Sequence, residues 1–542
     1  MNLWYTNLKR HIVSGGRIMG TYFNPSNTGF RKSAEDELYV DKSGLLNLLN
    51  RKISTEKNCI SVSHARRFGK SQAARMIDAY YSKGCDSREL FSKFEISQSS
   101  DFSKHLNKYN VIHLDMASMA DGHRDDVLSN MKRKLYADIS GETGIKTDIC
   151  QDVSEIVDEI YRKTQTAFVI IIDEWDCIVR NFSDMPELVH DYIQFLHSLF
   201  KSEESREFLA LGYITGILPI KKIEDESALN NFKEYTMIKS REFTPYFGFT
   251  EEETKALCEK YSMNFDSVKS WYDGYNISGM EMYNPDSVYQ AMTDHSLESY
   301  WKDTSAFGTI NRFVTMNFDG LKEDVVRMLA GEKVYVDTET FQNDLSEISS
   351  GDDALTALIH LGYLGYNCDD STAYIPNYEV AKAFHSAMKK SSWSDVAKLY
   401  QACNDIINAT IRCDADKVAG YIEIAHETYS SVLKYNDENA LSCVITMSYF
   451  TAPAYYNIFR ELPAGKGFAD ISFLPRIDSG DKPPMIIELK YDKNADTAIR
   501  QIKERRYSGS LRGYRNVLLV GVNYNPDNKK HECIIEKYDI FD

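Results

Sequence analysis

Two groups of side chains in this sequence have the types and spacing that phosphate chemistry requires. Towards the amino terminus, Gly69-Lys70-Ser71 follows the apolar run 59–62 and precedes a helical pattern over 71–81. Towards the carboxyl terminus, Glu488 and Lys490 stand two positions apart in another apolar run. The first group predicts a phosphate-binding loop, and the second predicts a metal-dependent site that cleaves phosphodiester bonds.

The loop supplies the groups that hold the phosphates of a nucleotide. Backbone N–H groups at a helix amino terminus cradle phosphate oxygens, the Lys70 ammonium neutralises charge, and the Ser71 hydroxyl coordinates Mg²⁺. Arg67 and Phe68 belong to the same expected cradle. The usual pattern opens with glycine where this chain has His64, so an ordinary strand-to-helix turn is the alternative.

A second decisive stretch is the β-branched run 168–172, which ends in Asp173 and Glu174. Such a run is typical of a strand buried on both faces of a parallel sheet, and ligands bind at the carboxyl ends of such strands. We expect Asp173 to hold Mg²⁺ through water and Glu174 to polarise the attacking water. Solvated strand-end acids are the alternative, and Asp176 is expected to be an exposed acid at a helix start.

The next predicted strand, over 208–215, ends at Thr215. This hydroxyl either senses the terminal phosphate or bonds to backbone. Lys221, Lys222 and Arg241 follow as candidates for a charge-neutralising side chain, and the sequence does not select among them.

The carboxyl-terminal part of the sequence predicts a helix from 438, strands over 454–462, 467–475 and 484–491, a helix over 495–507, and a strand over 517–522. The spacing of Glu488 and Lys490 places both on one face of their strand. Asp470 joins them if the neighbouring strands pair.

The two carboxylates then bind one or two Mg²⁺ ions, which activate water and neutralise the scissile phosphate. Lys490 orients that water or stabilises the developing charge, and Glu438 is an additional ligand or base. The alternative is a cross-strand charge pair on a surface strand.

A basic stretch over 500–515 has six cations against one acid, Glu504, in a chain whose net charge is −17. A local patch of this kind binds nucleic-acid phosphates without sequence preference, whereas the overall charge excludes binding by the whole surface. A solvated helix face is the alternative. The candidate nucleic-acid contacts are Gln501, Lys503, Arg505, Arg506 and Tyr507.

Several motifs together resemble the bacterial AAA-ATPase-like family that carries a carboxyl-terminal PD-(D/E)XK nuclease-superfamily domain. The resemblance implies that a residue other than glycine at position 64 is normal, and that Gln501 and Tyr507 belong to the fourth nuclease motif. Ala469 departs from the superfamily's proline. The matching stretches are 39–43, 66–71, 172–176, 215–217, 247–250, 271–275 and 283–285.

We therefore predict an α/β protein of several domains. Either residues 1–18 form a loose arm or Met19 is the natural start; 19–245 form a P-loop ATPase-like parallel sheet; 246–420 form a helical, winged-helix-like lid and linker; and 421–542 form a restriction-endonuclease-like domain. The expected function is binding and slow hydrolysis of ATP or another nucleotide with Mg²⁺, controlling cleavage of nucleic acid, with DNA favoured. A nucleotide-switched binding protein with an inert nuclease fold is the alternative.

The bulk composition bounds the location and partners. The 542 residues include 43% hydrophobic and 26% charged residues, and no apolar run approaches the ~18 residues of a membrane span. Ten scattered cysteines without a Cys-x-x-Cys pair, and no apolar leader, predict a reduced cytoplasmic protein without a membrane partner. An oligomer is possible, but no side chain identifies one.

Overall fold

The computed structural model describes most of the chain, which forms two compact units. The first unit reaches Tyr261 and includes Tyr275–Thr293 and Asp337–Cys368; the second comprises the remaining segments to the carboxyl terminus. The described residues are 13–14, 17–18, 20–220, 229–300, 310, 312–313, 318–345, 348–390, 403, 405–429, 438–452, 455–464, 467–476, 480–505, 514 and 516–539.

The strands are numbered along the chain. They are β1 (Val13–Ser14), β2 (Arg17–Ile18), β3 (Cys59–Ser63), β4 (Asn110–Asp115), β5 (Phe168–Asp173), β6 (Leu209–Gly216), β7 (Lys233–Thr236), β8 (Phe249–Thr250), β9 (Tyr275–Ile277), β10 (Met280–Tyr283), β11 (Val334–Tyr335), β12 (Gly365–Asn367), β13 (Thr372–Tyr374), β14 (Tyr456–Ala464), β15 (Gly467–Pro475), β16 (Met485–Tyr491), β17 (Val517–Asn525) and β18 (Lys530–Tyr538).

The first unit is built on a parallel sheet in the order β4-β5-β6-β3-β7, with helices on both faces. Alternate residues of β5 pack into opposite cores, because successive side chains of a strand point to opposite faces: Ile170 and Ile172 join one core, and Val169 and Ile171 the other. All of β3, β5 and β6 is buried. The predicted parallel sheet is therefore confirmed.

Helices of the first unit cover this sheet and continue beyond it. They are Thr28–Ala34, Gly44–Asn50, Lys70–Tyr81, Arg88–Phe91, Phe102–His105, Met116–Ala120, Val127–Thr143, Val153–Thr164, Cys177–Asn181, Pro186–Phe200, Glu203–Phe208, Glu251–Lys260, Pro285–Asp294 and Gly351–His360, with 3₁₀ turns at Glu95–Gln98 and Arg241–Tyr246.

The second unit contains a mixed sheet in the order β14-β15-β16-β17-β18. Its pairs are antiparallel except β16 with β17, and the helix Ala495–Arg505 packs on this pair through Ile499 and Ile502. The predicted order of helix, three strands, helix and strand is confirmed. The helices are Phe265–Tyr272, Leu321–Leu329, Tyr378–Lys390, Ala415–Tyr429, Glu438–Ser448 and Ala495–Arg505, with a 3₁₀ turn at Phe318–Gly320.

The middle of the chain consists of helices and short antiparallel strands, as expected, and its residues are divided between the two units. The capping box before Glu251–Lys260 is present: the Thr250 hydroxyl accepts a hydrogen bond from the Glu253 N–H, and the Glu253 carboxylate accepts one from the Thr250 N–H. The boundaries at 18, 245 and 420 stay predictions.

One predicted helix has different bounds in the structure, and two edge strands were not predicted. The apolar pattern of the sequence predicts a helix over 355–365, whereas the helix spans Gly351–His360, because the Ser350 hydroxyl caps its start and Gly362 adopts a left-handed φ of 83°. The edge strands β7 and β18 were not predicted, because exposed charges interrupt their apolar pattern.

No helix in the described ranges combines the length and the apolarity that crossing a bilayer requires.

Candidate functional site

The predicted phosphate loop joins the carboxyl end of β3 to the helix Lys70–Tyr81. Gly69 precedes the helix with a left-handed φ of 88°, and a Cβ built there would meet nothing within 4 Å. Arg67 also has a positive φ, of 69°. Because the first N–H groups of a helix lack partners within it, this turn leaves donors beside open space. That arrangement fits a phosphate group.

Lys70 is the buried cation of the loop, with 7% of its surface exposed. Its Nζ donates a hydrogen bond to the Ala65 carbonyl at 2.9 Å. Burial lowers the pKa of Lys70 to about 8, although Asp173, Asp176 and Glu174 favour its charged form. The Lys70 ammonium therefore has carboxylates nearby and donates to a neutral acceptor, the Ala65 carbonyl. A phosphate oxygen can replace this carbonyl.

The ends of β5 and β6 bring Asp173 and Thr215 into direct contact. The Thr215 hydroxyl donates to Asp173 Oδ1, which also accepts the Glu174 N–H at 3.1 Å. The Thr215 hydroxyl also accepts the Glu174 N–H at 3.4 Å, so it is bonded both to a carboxylate and to backbone. Glu174 has a positive φ of 51°, and burial, followed by the charge of Asp173, raises the pKa of its carboxyl group.

A cavity of 740 Å³ adjoins these groups, a volume within the range of ligand pockets in proteins. Arg66, Arg67, Phe68, Gly69, Lys70, Ser71 and Glu174 line it together with the apolar and aromatic residues Phe30, Leu38, Tyr39, Phe249 and Tyr289. Cationic and N–H donors suit phosphates, and the aromatic side chains suit a base. The residues present therefore fit a nucleotide.

His64 does not obstruct this cavity. Its ring is fully buried, forms a 3.0 Å hydrogen bond through Nε2 with the Ser240 hydroxyl, and packs against Phe247. Burial lowers the pKa of His64 to about 3, with the charge of Lys70 adding to the effect, so the imidazole is neutral. The residue at the glycine position is directed into the core and is not among those lining the cavity.

Packing behind the loop comes from Tyr275, the last residue of the stretch 271–275. The Tyr275 ring meets Phe68 edge-on at 5.2 Å, and its hydroxyl donates to the Gly362 carbonyl. A Cβ on Gly362 would lie 2.5 Å from the Ala65 Cβ, so the backbone approaches the loop closely there. These residues support the loop from behind, so Tyr275 has a packing role.

Asp176 is a residue whose role the sequence did not reveal. It is 2% exposed, not an exposed helix-start acid as expected. Its Oδ2 accepts the N–H groups of Ile217 and Leu218, at 3.2 and 3.1 Å, and that of Arg180 Nε at 3.3 Å. Asp176 therefore fixes the chain that leaves β6, a role that arises only when β5 and β6 lie side by side.

Of the charge-neutralising candidates, Arg241 is exposed, begins the turn Arg241–Tyr246 and does not line the cavity. Lys221 and Lys222 lie outside the described residues. The loop itself carries a further cation at the cavity: Arg67 Nη1 lies 3.2 Å from Asp286 Oδ2.

The second predicted site is assembled within the sheet of the second unit. Asp470 on β15 accepts the Leu489 N–H of β16 at 2.7 Å, and Glu488 and Lys490 flank that residue. Glu488 is fully buried and Lys490 is 6% exposed. Lys490 Nζ lies 3.3 Å from Glu488 Oε1 and donates to the Leu489 carbonyl at 2.7 Å.

The helix Ala495–Arg505 adds Gln501, whose amide donates to Glu488 Oε1. This helix lies close to the sheet because Gly521, the register partner of Glu488 on β17, has no side chain. A Cβ there would be 2.6 Å from the Ala495 carbonyl oxygen. Asp470, Glu488, Lys490 and Gln501 are therefore gathered in one place.

Carboxylate oxygens suit a hard divalent cation, so this pair of acids fits Mg²⁺. Within the described ranges, no set of three or more His, Cys, Asp or Glu side chains is arranged to hold a metal. Two carboxylates with backbone and water oxygens match the preference of Mg²⁺, which keeps several of its waters.

Of the remaining predicted residues, the structure describes the side chain of Lys503. Lys503 forms an ion pair with Glu536 of β18, with Nζ and Oε2 2.5 Å apart. Glu438 begins the helix Glu438–Ser448, and Arg505 ends Ala495–Arg505, but their side chains lie outside the described part. Arg506 and Tyr507 also lie outside it.

Two regions of the chain match known protein families. Residues 29–224 match the family described as a predicted AAA-ATPase, and residues 436–533 match the PD-(D/E)XK nuclease superfamily. An uncharacterised protein in the vnfD 5′ region of Azotobacter chroococcum mcd 1 is 22% identical over 528 residues, which are 92% of this chain and 95% of that protein. The structure of the Aeropyrum pernix ORC2 protein in ADPNP-ADP complexes aligns with 66% of this chain and 99% of its own, at 10% identity and a TM-score of 0.25.

Proposed function

We propose, from the premise that residues 29–224 belong to the predicted AAA-ATPase family and residues 436–533 to the PD-(D/E)XK nuclease superfamily, that this protein binds and slowly hydrolyses ATP and cleaves nucleic acid. The favoured substrate is DNA, and the nucleotide state controls cleavage. The observation that carries the nuclease proposal is the gathering of Asp470, Glu488, Lys490 and Gln501 at one point of a sheet.

In the first unit, Lys70 exchanges the Ala65 carbonyl for a phosphate oxygen, and the N–H groups after Gly69 hold the remaining oxygens. Ser71 and Asp173 would hold Mg²⁺, which neutralises charge on the phosphates. Glu174 polarises the attacking water, and the Thr215 hydroxyl fixes the orientation of Asp173. Another nucleoside triphosphate fits the same donors.

In the second unit, Asp470 and Glu488 would hold Mg²⁺, which supplies an activated water and neutralises the scissile phosphate. Lys490 stabilises charge on the reacting phosphate, and Gln501 orients Glu488. Glu438 is proposed as a further ligand or base. Gln501, Lys503, Arg505, Arg506 and Tyr507 are proposed to contact the nucleic-acid substrate. The ten cysteines suit a reducing cytoplasm, which we propose as the location.

The nuclease proposal is tested by nicking of supercoiled plasmid with Mg²⁺. We expect Glu488→Ala and Lys490→Ala to reduce the rate at least ~100-fold, because each removes a group at the reacting phosphate. Glu532→Ala and Lys537→Ala on the edge strand β18 are matched controls that should retain full activity. Unfolding curves verify that all four variants fold.

Equal nicking by the intact chain and both site variants would refute the nuclease assignment. A second candidate function is a nucleotide-switched binding protein. Lys490 and Gln501 both donate to Glu488 Oε1, which is also how a buried carboxylate is satisfied in an inert fold. This candidate predicts no cleavage by any variant, with nucleotide-dependent binding of DNA or protein that survives Glu488→Ala.

A further inference from the structure

The nucleotide cavity contains an ion pair between its loop and a helix that follows much later in the chain. Arg67 precedes Gly69 by two residues, and its Nη1 lies 3.2 Å from Oδ2 of Asp286. Asp286 is the second residue of the helix Pro285–Asp294. Both residues line the cavity that Lys70 and Ser71 line. The pair therefore stands where phosphates are expected, although neither sequence position indicates the other.

We propose that Asp286 competes with the nucleotide for Arg67. In the free protein, Asp286 holds the guanidinium against the helix; on binding, Arg67 transfers to the phosphate oxygens. Arg67 is then a charge-neutralising side chain supplied by the same chain. This inference deepens the proposed nucleotide binding and depends on it.

The strength of the two interactions favours the exchange. The side chains of Arg67 and Asp286 are 30% and 37% exposed, and ion pairs this exposed to water contribute little stability. A guanidinium presents paired N–H donors that match phosphate oxygens in two parallel hydrogen bonds. A polyphosphate also carries more negative charge than one carboxylate, so Arg67 interacts more strongly with the phosphates than with Asp286.

The carboxylate of Asp286 keeps a hydrogen-bond donor after Arg67 leaves. Gln290 Nε2 donates to the same Oδ2 at 3.1 Å, so this oxygen keeps a hydrogen bond when Arg67 leaves. Asp286 also lies in the first turn of its helix, where the positive end of the helix dipole favours an anion. The helix therefore tolerates both positions of Arg67.

The test compares the affinity for a fluorescent ATP analogue among the wild-type protein, Arg67→Ala, Asp286→Asn and the double variant. We expect Arg67→Ala to weaken binding about tenfold or more, because it removes a charge-assisted phosphate contact. Asp286→Asn should tighten binding about threefold, because it removes the competitor. The double variant should bind like Arg67→Ala.

A matched control separates competition from a general effect of negative charge. Asp184 pairs with Arg124 at 2.6 Å and does not line the cavity, so Asp184→Asn should leave affinity unchanged. The proposal is overturned if Asp286→Asn has no effect, or if it tightens binding equally in the Arg67→Ala background. Failure of the folded wild-type protein to bind the analogue would refute the proposed nucleotide function, and this inference with it.

Discussion

At the scale of single residues, the environment of Lys70 makes its charge depend on pH near neutrality. The side chain is buried, its Nζ donates a hydrogen bond to a backbone carbonyl, and burial lowers its pKa to about 8. A phosphate ligand stabilises the ammonium form, so binding above pH 8 requires uptake of a proton. A loop lysine exposed to water would keep its charge throughout this range.

We therefore expect the affinity for ATP to fall as the pH rises from 7 to 9, because the free protein loses the Lys70 ammonium through its pKa of about 8. Titrations of a fluorescent analogue at several pH values measure this dependence. Lys70→Arg retains its charge and should bind with an affinity that hardly changes over the same interval. The same decline in both proteins would contradict the role assigned to Lys70.

At the scale of elements, the phosphate loop is positioned by segments distant in sequence. The turn after the helix Gly351–His360 brings Gly362 against Ala65, and the Tyr275 hydroxyl of β9 holds the Gly362 carbonyl. Gly362 has a φ of 83° and no room for a Cβ. The shape of the loop thus depends on this turn as well as on its own residues.

Gly362→Ala should destabilise the first unit by about 2–3 kcal/mol, because left-handed strain and a clash with Ala65 act together. It should also weaken nucleotide binding by displacing the loop. Gly279→Ala is the matched control: its φ is also 83°, but a Cβ there meets nothing within 4 Å. In urea unfolding, we expect Gly279→Ala to lower the free energy of unfolding by about 1 kcal/mol, from backbone strain alone. In binding assays, it should keep its affinity for the nucleotide. Equal effects of the two substitutions would show that the contact with Ala65 is unimportant.

At the scale of the whole molecule, both units contain histidines buried in the neutral form. Burial lowers the pKa values of His64, His360 and His531 to about 3. The first two belong to the first unit and the third to the second unit. Because the unfolded chain protonates histidine near pH 6.5 while the native protein does not, unfolding takes up protons in acid.

The free energy of unfolding should therefore decrease as the pH falls from about 6.5 towards 3, in addition to the effect of carboxylates. Denaturant titrations between pH 7.5 and 4.5 measure the slope. His360→Leu removes one buried titrating group and should reduce the slope by about one proton. An identical slope in His360→Leu and wild type would disprove this origin of acid sensitivity.

The sequence by itself determined the strands that carry the chemistry and the residues at their ends. Continuous apolar runs identify β3, β5, β6 and β16, because strands buried on both faces need such runs. Lys70, Asp173 and Thr215 stand at or soon after the carboxyl ends of β3, β5 and β6. Their closeness follows from the rule that parallel strands present their carboxyl ends at one edge of the sheet. Glu488 and Lys490 share a face because side chains alternate along a strand.

Only the tertiary structure decided which distant groups meet. Asp176 is buried beneath the chain leaving β6, Arg67 pairs with Asp286, and Gln501 reaches Glu488 over Gly521. No local pattern predicts these contacts, because each depends on the packing of segments separated along the chain. The edge strand β18 escaped prediction for the same reason: its neighbour β17, rather than its own composition, makes it a strand.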